Sequence, residues 1–97
     1  MISVKIYEDG VVAMADNDLL GKKFEEGNLS LEVSEYFYKG EVMSKDEVKE
    51  VMAHADNLNL IGKKVVAIAK AEGYIKEEDI LYIEGVPHVQ VYSIFKR

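Results

Sequence analysis

The sequence holds no cysteine, and only one proline (Pro87), one arginine (Arg97) and one glutamine (Gln90). Without cysteine there is no disulfide framework, no thiolate metal ligand and no thiol nucleophile. The simplest compartment for such a chain is the cytoplasm. With a single arginine, the bidentate guanidinium contacts that read guanine or clamp phosphate are nearly unavailable. No stretch approaches the ~20 apolar residues of a membrane span, and the opening "MISVKIYEDG" reaches acid by Glu8, unlike a targeting segment. The patterns G-x-x-x-x-G-K-[ST], G-x-S-x-G and H-E-x-x-H do not occur. Nucleotide hydrolysis, serine nucleophile chemistry and a helical zinc site therefore have no signature, and the sequence calls for no cofactor.

What is present describes one globular domain of 97 residues, 48% hydrophobic and 31% charged. The net charge of −6 opposes non-specific binding to a phosphate backbone. The abundance of Lys and Glu fits a thermophile's surface. Ile2, Val4 and Ile6 alternate with polar residues as in a half-buried strand, Asp9-Gly10 supplies a tight turn, and "VVAMA" returns as a second strand. "DNDLLGKKFEEGN" reads as a short helical turn or irregular loop, and Leu29, Leu31 and Val33 as a third strand. Ser44 and Glu47 have the spacing of a capping box at the start of a helix over Lys45–Ala55. Leu58, Ile61, Val65 and Ile68 share a stripe, which predicts a second helix near Leu60–Glu72 that "DNLN" caps and Gly73 stops. Ile80–Ile83 and Val89–Phe95 complete the strands. The expected fold is α+β: a mainly antiparallel sheet of about five strands with two helices packed on one face. "LLGKKF" and "LIGKKV" echo each other, but their flanks differ and no duplication follows.

The segment "GVPHVQVY" concentrates the candidate binding residues Gly85, Pro87, His88, Gln90 and Tyr92. Gly85 permits positive φ, and Pro87 fixes its own φ and extends Val86. Alternation then puts His88, Gln90 and Tyr92 in a row on one face: an imidazole, an amide and a phenol that can hold a ligand or a base. The plainer reading is a rigid turn launching the last strand. Gly62, Lys63 and Lys64 sit at a predicted helix start, where free N–H groups and ammonium groups attract anions; Gly62 equally serves close packing. Glu50 and His54 stand four apart on one helix, but no third metal ligand accompanies them, so no metal site is expected. Lys22-Lys23 is offset by Glu25-Glu26. The consecutive aromatics Tyr36, Phe37 and Tyr38 point in different directions, which suits core packing better than a base-stacking platform.

The motifs "KIYEDG", "LLGKKFEEGNLSLEVSEYFYKGE", "NLIGKKVVAIAKAEGYI" and "ILYIEGVPHVQVY", in that order, resemble the archaeal domain-of-unknown-function family 424. The resemblance covers nearly the whole chain and implies an archaeal, cytoplasmic protein with no assigned activity. It also carries a link to translation and ribonucleoprotein genes. The expected function is a non-enzymatic binding module with a protein or ribonucleoprotein partner. The rivals are a small enzyme using His88 as general acid/base, and a homodimer paired through its C-terminal strand.

Overall fold

The computed structural model describes residues 1–92. Its centre is a six-stranded mixed sheet. Strands β1 (Ile2–Ile6) and β2 (Val11–Asp16) form an antiparallel hairpin. Its loop is closed by the Tyr7 N–H donating to the Val11 carbonyl at 2.9 Å. Gly10 alone takes positive φ there, 95°, so the loop has three residues rather than the two-residue turn expected at Asp9-Gly10. Strand β5 (Glu41–Met43) lies outside β1, antiparallel to it. On the other side, β6 (Asn57–Ile61) runs parallel to β2, followed by the antiparallel strands β8 (Val86–Val91) and β7 (Leu81–Ile83).

The pleat sorts the side chains. Ile2, Val4, Val12, Met14, Leu58, Leu60, Val89 and Val91 point to one face, where α2 (Lys45–His54) and α3 (Lys63–Ala71) cover them. Helix α2 begins at the predicted capping box, with the Ser44 hydroxyl accepting from the Glu47 N–H and the Glu47 carboxylate accepting from the Ser44 N–H. Val48 and Met52 form its buried stripe, and Val65, Val66, Ile68 and Ala69 that of α3. The helix pair on one face of an α+β domain is as expected.

The opposite face carries a layer the sequence reading did not anticipate. Strands β3 (Lys23–Glu26) and β4 (Leu29–Glu32) form a separate two-stranded sheet joined by Gly27-Asn28, with Gly27 at φ 59°. The loop expected at 16–28 is therefore a 3-10 turn (Asn17–Leu19) followed by a strand, and the expected third strand pairs with it, outside the main sheet. The one-turn helix α1 (Glu35–Tyr38) completes this layer. Together they enclose Ala13, Ala15, Val33, Tyr38 and Ile61.

Two further expectations change. The segment 57–61 is a strand, not the start of the second helix, which begins at Lys63. Asn57 and Asn59 alternate with Leu58 and Leu60, so a period of two competes with the helical stripe. The sheet consequently contains one parallel pair. The last strand begins at Val86 rather than Val89, and its expected continuation to Phe95 lies outside the described residues.

Candidate functional site

The turn before β8 is Glu84-Gly85. Both residues have positive φ, 52° and 79°, as a two-residue hairpin loop needs. The register Ile83↔Val86 closes it. The turn also holds the second layer in place: the Glu84 carboxylate accepts from the Glu25 N–H at 2.6 Å, and the Glu26 carboxylate accepts from the Glu84 N–H at 2.7 Å.

Pro87 stands opposite Gly62 at the end of β6. The Gly62 N–H donates to the Pro87 carbonyl at 3.0 Å. An ordinary residue at 87 would return a bond to the Gly62 carbonyl. Proline has no N–H, and that carbonyl accepts instead from Val66 at 3.1 Å, the first helical bond of α3. The single proline thus ends the ladder where the helix starts.

The expected anion site at Gly62, Lys63 and Lys64 is occupied from within the chain. Asp16, buried at the end of β2, accepts from the Lys64 and Val65 N–H groups, both at 2.9 Å. Its carboxylate supplies the negative charge that a helix N-terminus favours. A Cβ on Gly62 would collide with the Asp16 carboxyl carbon, and Gly62 has φ 119°. Gly62 is thus the residue before the helix rather than part of its first turn. The two Gly-Lys-Lys echoes do converge in space: Lys22, Lys63 and Lys64 line a recess of about 330 Å³ together with Asp16 and Asp18.

His88 and Gln90 on β8, and Tyr92 just past its end, share one face, the face away from α2 and α3; Gln90 and Tyr92 are exposed. His88 is half-buried. Its Nε2 donates to Asn59 Oδ1 at 3.2 Å, and burial holds the imidazole below its ordinary pKa of 6.5. The same Asn59 oxygen accepts from the Tyr38 hydroxyl at 2.6 Å. Burial, and secondarily the neighbouring Tyr7, push the Tyr38 phenol up to about 12, so it stays protonated as a donor. Tyr92 donates to the Gln90 side-chain oxygen.

The strands bring these groups beside others that are remote in sequence. Gln90 is in register with Asn59, and Asn59 with Ala13; Asn57 is in register with Val11. Gln90, Tyr92, Asn57, Asn59, Tyr7 and Phe37 surround a recess of about 370 Å³, with Asp9 also in its wall. His88 is not among its lining residues; it backs Asn59. The aromatic part of the wall is set by α1. The Tyr36, Phe37 and Tyr38 carbonyls, left without helical partners, accept from Lys5 Nζ, the Tyr7 hydroxyl and the Ser3 hydroxyl at 2.6, 2.8 and 3.0 Å. Tyr7 and Phe37 then stack at 5.3 Å. As expected, the three consecutive aromatics diverge: Tyr36 is exposed, Phe37 lines the recess and Tyr38 is buried.

Sequence reading missed the contribution of Asn57, Asn59 and Tyr7. The Asn-Leu-Asn-Leu alternation carried the signal for the first two. His54 Nδ1 bonds the Glu50 carbonyl at 2.9 Å, within its own helix. Among the described residues no three His, Asp or Glu side chains converge as a metal site, and no helix is long and apolar enough to cross a membrane.

No curated protein matches the sequence. A solved structure does: "an uncharacterized conserved protein from Methanopyrus kandleri", 30% identical, with a TM-score of 0.76 over 95% of this chain and 90% of that one. A profile of the family described as "Protein of unknown function (DUF424)" matches residues 6–94, nearly the full length on which the sequence motifs rest. The chain belongs to the DUF424 family.

Proposed function

We propose that this protein is a non-enzymatic binding module for a ribonucleoprotein partner of the translation apparatus, and that the recess beside Gln90 receives an unpaired nucleobase from it. The carrying observation is the lining: carboxamides from Asn57, Asn59 and Gln90 beside the rings of Tyr7, Phe37 and Tyr92. Carboxamides match the donor and acceptor pairs on base edges, and aromatic rings stack on base faces. The volume, about 370 Å³, lies within the range of small-ligand sites. The lone carboxylate, Asp9, disfavours a phosphate there, so the reading concerns the base and not the backbone.

His88 acts as a positioning residue in this reading. Its bond to Asn59, shared with Tyr38, fixes the Asn59 carboxamide in the wall. An acid/base role for His88 is less well supported, because the imidazole stands behind the recess.

The test is an NMR titration with adenosine, uridine and a short single-stranded RNA. Side-chain amide signals of Asn57, Asn59 and Gln90 should move together and saturate. Gln90→Ala should weaken binding about tenfold, the loss of roughly one good hydrogen-bonding pair. Absence of saturable shifts at these residues with all three probes would overturn the proposal.

A further inference from the structure

A second cavity lies on the opposite side of the molecule, between the two long helices. It measures about 640 Å³ and is bounded by Met1, Ile2, Met43, Ala67, Ile68 and Ala71, with Lys45, Lys49 and Lys64 also in its wall. We propose that this cleft binds a small amphipathic anion, a carboxylate carried on an apolar chain.

The geometry follows from helical spacing. Lys45 and Lys49 stand four apart on α2 and share a face. Lys64, Ala67, Ile68 and Ala71 follow i, i+3, i+4, i+7 on α3. The two alanines leave the space that larger residues would fill. Ile2 and Ile68 are buried in the floor, and Met43 is half-buried against the same core.

Charge selects the head group. The protein carries −6 overall, yet three of its twelve basic residues line this one cleft and no carboxylate does. Three like charges around one cleft repel unless an anion sits among them. Lys49 also reaches Glu72 at 3.8 Å, but both side chains are over a third exposed, and such a pair is weak. The remaining surface is apolar, which a phosphate ion or a free sugar phosphate would leave uncovered. A chain bearing one carboxylate satisfies both parts. The site is independent of the base recess, which lies on the other face of the sheet.

Decanoate and decanol are the probes, titrated into isotopically labelled protein. Decanoate should move the amide signals of Met43, Ala67 and Ala71 to saturation, and decanol should bind at least about tenfold more weakly. The Lys45→Gln/Lys64→Gln double variant should lose about tenfold in decanoate affinity and nothing in decanol affinity. Ala67→Glu, at an exposed helix position, should abolish decanoate binding while the spectrum stays dispersed. Equal binding of decanol and decanoate, unchanged binding in the variants, or no saturable shift would overturn the proposal. So would saturation of the cleft by an acidic amphipathic helical peptide that decanoate fails to displace. The nucleoside titration reads Asn57 and Gln90, so either proposal can fail alone.

Discussion

Asp16 belongs to a strand but its side chain serves a helix. Its carboxylate holds two N–H groups of α3, at 2.9 Å each, from a buried position. Asp16→Ala strands both donors and removes the charge that complements the helix terminus. It should cost about 1–3 kcal/mol, read as a lower urea midpoint with unchanged slope. An unchanged midpoint would mean that water replaces the carboxylate without loss. His88 makes a different prediction, about pH. In the unfolded chain it takes up a proton near its ordinary 6.5, and in the folded chain only at lower pH, because burial penalises the imidazolium. Between these values the unfolded state binds more protons. The contribution of His88 to stability is therefore full above pH 6.5 and declines as the pH falls through the folded value. Urea midpoints at pH 7 and pH 5 should fall further apart in the wild type than in His88→Gln, which cannot titrate there. Equal differences in the two proteins would show that His88 is as solvated folded as unfolded.

At the scale of elements, the readable parts were those where one pattern stood alone. The Ser44–Glu47 capping box announced α2, and simple alternation announced β1 and β2. The start of the second helix was misplaced because two periods overlap there. Leu58, Ile61, Val65 and Ile68 fit a helix, whereas Asn57 to Leu60 alternate; the parallel pairing with β2 decides for the strand. That pairing is long-range, so no local pattern could have shown it. The β3–β4 hairpin was signalled by Gly27-Asn28 between two four-residue strands, but Glu and Lys on its outer face hid the alternation. In the candidate site, the row of His88, Gln90 and Tyr92 was legible from the period of two. The partners from β6 and α1 were not, since they meet it only through the fold. Two variants probe these elements. Leu60→Ala, fully buried between sheet and helices, should cost about 2–5 kcal/mol, and calorimetry would show the lower Tm. If the segment were a surface helix turn, the loss would stay within about 0.5 kcal/mol. Tyr38→Phe keeps the ring but removes the hydroxyl bond to Asn59. It should leave the fold intact, cost about 1 kcal/mol, and shift the Asn59 side-chain amide signal; a signal that stays in place would disconnect α1 from the recess wall.

For the molecule as a whole, the sheet separates two chemically different surfaces. One side presents amides and aromatic rings around Gln90, the other an apolar cleft lined by lysines, and the chain between them carries a net charge of −6. The edges differ as well. Strand β8 has β6 along His88–Val91 and β7 only along Val86–His88, so a second copy pairing through this strand would meet the part past His88. The charge governs the response to nucleic acid. A protein that neutralises few phosphates releases few counterions, so its affinity for a generic duplex stays low and changes little in salt slope. Among the described residues, Lys45, Lys49 and Lys64 line one cleft and Lys22, Lys63 and Lys64 another recess, where Asp16 and Asp18 offset them, and the single arginine leaves no guanidinium pair for base edges. Electrophoretic shift assays at physiological salt should therefore place generic duplex DNA no tighter than the non-specific range of about 100 to 1 μM. Binding of nucleosides in the amide recess, which involves no phosphate, should instead be nearly independent of salt. Sub-micromolar capture of a random duplex would require a basic surface strong enough to outweigh the acidic remainder, and would overturn the proposal that recognition rests on the amide recess.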